Sequence, residues 1–183
     1  MGHESDRFEA DQVGHGEQPE PGEAPAAPGS ILDGIRARRD RAKAALFVDI
    51  KVPRYEPELW VRFKPTEQKR IDAAGEKARK SKDDHRIVNA NATLLAEACI
   101  GVFEVDADGE KVSIDPADRS TNPDDWPQFD KRLARLLEIP AGKAVEVVRG
   151  LYLTDGDIIS TAAELGEWSG YSRDMLEQDT AGN

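Results

Sequence analysis

The clearest pattern of hydrophobic and polar positions in the chain predicts an amphipathic helix at the start of residues 85–114. Apolar residues recur there at spacings of four, three and four, which places them on one helical face: Val88, Ala92, Leu95 and Cys99. The polar residues Asn89 and Glu97 fall away from that face. The segment therefore has the pattern of a helix that covers a core with one side.

A β-hairpin is predicted directly after this helix. The pair Asp108-Gly109 lies between two apolar runs and favours a type I′ turn, because both central residues of such a turn need positive φ values. A two-residue turn here predicts three cross-strand pairs: Val105 with Val112, Phe103 with Ile114, and Asp106 with Lys111.

A second hairpin is predicted earlier in the chain, where apolar residues recur with a period of two. Its first strand carries Leu46, Val48, Ile50 and Val52 on one face, and its second strand carries Leu59, Val61 and Phe63. Two hairpins are most simply joined in one antiparallel sheet of about four strands. The predicted fold class is therefore α+β, with amphipathic helices packed on a small sheet.

Helical patterns account for most of the remaining sequence. A polar helix is predicted over residues 66–80, with a weak apolar stripe of Ile71, Ala74 and Ala78. The C-terminal third predicts three helices, with starts at Asp125, after Gly142 and at Thr154.

The ends of the chain differ in composition from its middle. Residues 1–29 hold seven carboxylates against one arginine, together with four prolines, so we expect a disordered acidic tail. Residues 30–170 are predicted to form a single domain whose first helix is capped by Ser30, and residues 171–183 a polar tail.

Composition limits the classes of partner and the compartment. The net charge is −11, which disfavours nucleic acids and anionic membranes, because binding phosphates needs a cationic surface. One cysteine allows no internal disulfide, and the sequence shows neither a signal-peptide pattern nor an apolar run of membrane-spanning length. We therefore expect a protein of a reducing, cytoplasmic environment.

The residues that most resemble chemical sites fit structural roles better. Asp106, Asp108 and Glu110 lack the further oxygen ligands and the final glutamate of a calcium loop, so we interpret them as a hairpin turn. Cys99 has no histidine placed to activate it and lies on the apolar helix face. The sequence thus predicts no catalytic residues, no cofactor and no metal site, and an enzyme is disfavoured.

One basic segment leaves nucleic-acid binding as an alternative function. Residues 36–43 hold four arginines and a lysine on the first predicted helix, a pattern that usually marks a solvated helix face. It would also suit a small nucleic-acid-associated regulator, whose binding would depend strongly on salt concentration.

The order of these elements resembles that of the tail assembly chaperones of long-tailed, siphovirus-type bacteriophages, especially those that infect actinobacteria. The resemblance covers about residues 45–170 and is carried by three segments: VPRYEPELWVRFKP, NATLLAEACIGVFEVDADGE, and FDKRLARLLEI followed by AVEVVRGLYLTDGDIISTAAELGEWSG. It implies a non-catalytic factor of tail morphogenesis that binds the tape measure protein and keeps it soluble. It also implies action in the host cell cytoplasm and absence from the mature virion.

Further partners follow from the same resemblance. Chaperones of this family are often made in two versions, the longer one by programmed ribosomal frameshifting, so a longer version of this chain and the tail tube subunits are implied as partners. A structural tail protein or a head-to-tail joining protein of the virion remains the alternative.

The predicted contact surface for the partner is the C-terminal helical third, which carries more apolar helix faces than a small sheet readily covers. The candidate residues are Leu151, Tyr152, Ile158, Ile159, Leu165 and Trp168.

Overall fold

The computed structural model describes residues 31–140 and 142–171, and the chain divides into two compact units, residues 1–39 and 40–183. The predicted acidic tail, the Ser30 cap and residues 172–183 of the predicted polar tail lie outside the described residues. In the first unit, residues 31–39 are helical, and Asp33 pairs with Arg36 at 3.2 Å. The apolar side chains of this stretch are exposed: Ile31, Leu32 and Ile35.

The predicted α+β class is confirmed. The strands are β1 (Val48–Val52), β2 (Leu59–Phe63), β3 (Cys99–Val105) and β4 (Lys111–Ser113). The helices are α1 (Ile31–Ala44), α2 (Gln68–Lys80), α3 (Arg86–Ala98), α4 (Lys131–Leu136), α5 (Ala144–Leu151) and α6 (Asp155–Trp168). Of the helices in the described part of the chain, none has the length and apolar character needed to cross a membrane.

The four strands form one antiparallel sheet in the order β1-β2-β3-β4. β1 and β2 pair from Val48 opposite Phe63 to Val52 opposite Leu59, so the predicted alternation places their apolar residues on a common face. That face is buried against α3, α5 and α6. Leu46, which the pattern assigned to the strand, precedes β1 and is exposed.

The second hairpin forms, but its predicted register is wrong by one residue. Val105 lies opposite Lys111 and Phe103 opposite Ser113, because the turn has three residues instead of two. The Asp106 carboxylate accepts hydrogen bonds from the backbone N–H groups of Asp108 (3.0 Å) and Glu110 (2.9 Å). Gly109 alone in this turn has a positive φ, 84°, as expected for a type I turn followed by a glycine bulge.

The predicted face of α3 is confirmed as part of the core: Val88, Ala92 and Leu95 are buried. The predicted start of the next helix at Asp125 is wrong. Residues 123–125 form a single 3₁₀ turn, and α4 begins after Asp130, whose carboxylate accepts from the N–H groups of Arg132 and Leu133. The capping residue of α4 is therefore Asp130 and not Asp125.

The opposite face of the sheet is closed by Trp126. Its side chain lies directly over Gly101, where a Cβ atom would approach the Trp126 Cβ to 2.6 Å, and its ring stacks on Phe103 at 4.5 Å between centroids. Beside this stack, the Arg62 guanidinium lies 5.0 Å from the Trp126 ring centroid and pairs with Asp49 across the β1–β2 ladder. The sheet is thus packed on both faces.

Candidate functional site

The six residues predicted to contact a partner do not form one surface. Four of them are 2% exposed or less and belong to the core beneath α3: Leu151, Tyr152, Ile158 and Leu165. Trp168 is half-buried against the same core, and Ile159 is 41% exposed. Leu151, Tyr152 and Ile158 are thus packed in the core, which contradicts their prediction as surface residues, whereas Ile159 and the buried Leu165 both line the groove described next.

Ile159 borders an apolar groove between α2, α3 and α6 with a volume of about 330 Å³. Its floor is a second face of α3, on which Ile87, Ala90 and Leu94 recur at spacings of three and four and are only half-buried. α3 is thus apolar on two sides, one packed in the core and one open to this groove.

The groove stays open because its walls carry small residues. On α2, Ala74, Gly75 and Ala78 allow close contact with α3 and add little volume beside it, while Ile71 is a large α2 side chain in the lining. On α6, Gly156 and Gly166 lie on either side of Ile159 along the opposite wall. The result is a cleft with an apolar floor and two low helical walls.

The lining of the groove is mostly apolar. Among the described residues that line it, none is titratable and all but Thr66, Asn91 and Ser160 are apolar or glycine. Asn91 donates from its side-chain amide to the Ile87 carbonyl oxygen at 3.0 Å, and the Thr66 hydroxyl is buried without a hydrogen-bond partner. The described lining therefore supplies apolar contact and few polar contacts, and it places no titratable acid or base beside the Thr66 and Ser160 hydroxyls.

The described residues do not assemble a metal centre elsewhere. In residues 31–140 and 142–171, no three His, Cys, Asp or Glu side chains are grouped so as to hold a metal ion. Asp106 belongs to the segment that resembles a calcium-binding loop in sequence. Its carboxylate accepts backbone hydrogen bonds within the hairpin turn.

The Cys99 thiol is buried in the folded protein. Cys99 is buried at the start of β3, and burial raises the pKa of its thiol to about 12 despite a backbone hydrogen bond at Phe129. We expect a thiol-specific disulfide reagent to leave the native protein unmodified at neutral pH and to label Cys99 fully in denaturant, as read by absorbance and intact mass. Rapid labelling of the native protein would contradict the packing of β3 against α3.

Comparisons with protein-family models, with curated proteins and with solved structures found no match to this chain. The groove, its lining and the charge of the chain are therefore the features that bear on function.

The groove was not predicted from the sequence, because α3 was expected to have only one apolar face. Ile87, Ala90 and Leu94 supply the missing signal, since they form a second stripe at helical spacing beside the core stripe. Few large apolar residues in the neighbouring helix, α2, indicate that this stripe is left partly uncovered.

Proposed function

We propose that this chain is a phage tail assembly chaperone that holds an amphipathic helix of the tape measure protein in the α2–α3–α6 groove. The observation that carries the proposal is an open groove with a mostly apolar lining and no titratable side chain among the described residues that form it. Grooves of this kind bind helices by taking up apolar side chains spaced three and four residues apart. The order of elements and the sequence resemblance give the class of partner.

The groove suits a helical partner better than a small ligand. Its two walls are helices of 13 and 14 residues, and its volume of about 330 Å³ can take up a few apolar side chains from one face of a partner helix. Small residues on both walls let the backbone of the partner approach closely. Burial of each large partner side chain in such a site contributes about 1.5–3 kcal/mol before the cost of ordering is subtracted.

The charge of the chain supports the same role. A tape measure protein exposes apolar helical surface until tail tube subunits surround it, so its chaperone has to keep the complex dispersed. A net charge of −11 on a chain of 183 residues provides repulsion between complexes. On this proposal the chain acts in the host cell cytoplasm and is released before the virion is complete.

Co-expression with the tape measure protein tests this role. We expect the tape measure protein to be mostly insoluble alone, to become soluble with this chain, and to co-purify with it. Equal insolubility with and without the chain would contradict the proposal. Abundant chain in purified virions, measured by mass spectrometry, would favour a structural tail or head-to-tail joining protein instead.

A further inference from the structure

We propose that the β1 edge of the sheet is a self-association surface, at which two copies of the chain pair their β1 strands antiparallel about a two-fold axis through Ile50. The pairing would join two four-stranded sheets into one. No groove-lining residue lies in β1, so the inference stands apart from the proposed function.

The two edges of the sheet differ in how they are covered. β4 is bordered by the loop that follows it, because the Ser113 N–H donates to the Ser120 carbonyl oxygen at 2.9 Å. β1 is the opposite edge strand, and among the described residues its backbone makes hydrogen bonds only with β2. An antiparallel strand paired on one side leaves alternate N–H and C=O groups pointing outward, where they can pair with another strand.

The sequence of β1 is complementary to itself in this arrangement. A two-fold axis at Ile50 places Val48 opposite Val52 of a second copy and Asp49 opposite Lys51 of that copy. Both opposite-charge pairs lie on the face of the sheet away from the helices, and both valine pairs lie on the core face. A lysine on an edge strand usually deters pairing, but here each lysine meets a carboxylate.

The Asp49 carboxylate can accept a further hydrogen bond from Lys51 of a second copy. It accepts two hydrogen bonds from Arg62 and one from Lys111, while its two oxygens offer about four acceptor positions. Lys51 lies at the surface and pairs with Glu58 at 2.6 Å, so its ammonium has donors to spare for a second carboxylate.

Exposed apolar residues continue the same edge. Leu46 and Phe47, just before β1, are 51% and 39% exposed. In the register centred on Ile50, Phe47 lies opposite Pro53 of the second copy, so pairing would cover apolar surface at both ends of the strand. These observations favour a second copy over the proline-rich N-terminal segment as the occupant, because proline cannot donate to a strand ladder.

Sedimentation velocity of the full chain over a wide range of concentration tests the pairing. We expect a monomer–dimer equilibrium in the wild type. The double variant Lys51→Glu with Glu58→Lys keeps the ion pair within each copy, with the two charges exchanged. At both symmetry-related positions of the dimer, however, the Asp49 carboxylate would then face another carboxylate. Dimerisation should weaken about tenfold, because two like-charge pairs replace two opposite-charge pairs.

A matched double reversal, Lys82→Glu with Glu164→Lys, changes two exposed side chains away from β1 and should dimerise like the wild type. Hydrogen exchange of the wild type supplies a measurement that needs no variant: outward amides of β1 should gain protection as concentration rises. A monomer at every concentration would overturn the inference. It would also be overturned by a dimer that the β1 reversal leaves unchanged, or by β1 amides equally protected at all concentrations, which would mean that another part of the chain covers the edge.

Discussion

Replacing Arg62 by alanine should lower the free energy of unfolding by about 3 kcal/mol, one of the two largest effects expected for this protein. The Arg62 guanidinium donates two hydrogen bonds to Asp49, at 2.7 and 2.9 Å, and its side chain is only 9% exposed. It also lies 3.9 Å from the Phe47 ring centroid. Removal leaves Asp49 largely buried with only Lys111 as a cation, and leaves a gap beside Trp126. Urea denaturation monitored by tryptophan fluorescence measures the loss.

Two further variants separate the contributions to this loss. Arg62→Lys keeps the charge but lacks the planar fork that matches a carboxylate, so an intermediate loss is expected. Arg38→Ala removes an exposed arginine from α1 and should change stability by no more than about 0.5 kcal/mol. If Arg62→Ala were as mild as Arg38→Ala, the ion pair across β1 and β2 would not be a stabilising element.

The effect of Arg62 should depend on pH in a defined direction. Partial burial raises the pKa of Asp49, but the hydrogen bonds from Arg62 and Lys111 outweigh it and hold the pKa below its ordinary value. A carboxyl with a lowered folded-state pKa contributes stability above its unfolded value, near 3.9, and loses that contribution as pH falls through the folded value. The difference in stability between wild type and Arg62→Ala should therefore be full at neutral pH and shrink below about pH 4.

The fold was largely predictable because its elements are encoded by local patterns. The alternating strands around Ile50 and Val61 and the α3 stripe of Val88, Ala92 and Leu95 all lie where periodicity places them. The register of the second hairpin was not predictable from the Asp-Gly pair alone. Asp106 decides it by accepting two backbone hydrogen bonds, which selects a three-residue turn over the two-residue turn that the pair also permits.

The candidate site was less predictable because it depends on which apolar faces remain uncovered after packing. Leu151 and Ile159 lie on neighbouring helices, and the sequence alone makes them equally good candidates for contact with a partner. In the structure, Leu151 is buried and Ile159 is exposed. Packing of α5 and α6 against α3 decides between them, and those contacts are not local in sequence. Likewise, the role of Gly101 under Trp126 is visible only once the chain after β4 folds back over the sheet.

The second large effect concerns binding, where Ile159→Glu should weaken the complex with the tape measure protein by about a hundredfold. Ile159 projects from the α6 wall of the groove and is 41% exposed, so the substitution should leave the chain folded. A partner helix in the groove would press its apolar face against the new carboxylate, which would lose water without gaining a cation from the groove lining.

Leu153→Glu is the matched control, because Leu153 is another large apolar residue of the same region, is 59% exposed and does not line the groove. The decisive measurement is the affinity of the wild type and the two variants for the purified tape measure protein, or its soluble helical segments, at one salt concentration. We expect wild-type affinity for Leu153→Glu and a loss of about a hundredfold for Ile159→Glu, with unchanged unfolding midpoints for both. Equal affinity of all three proteins would show that the partner does not bind in the α2–α3–α6 groove.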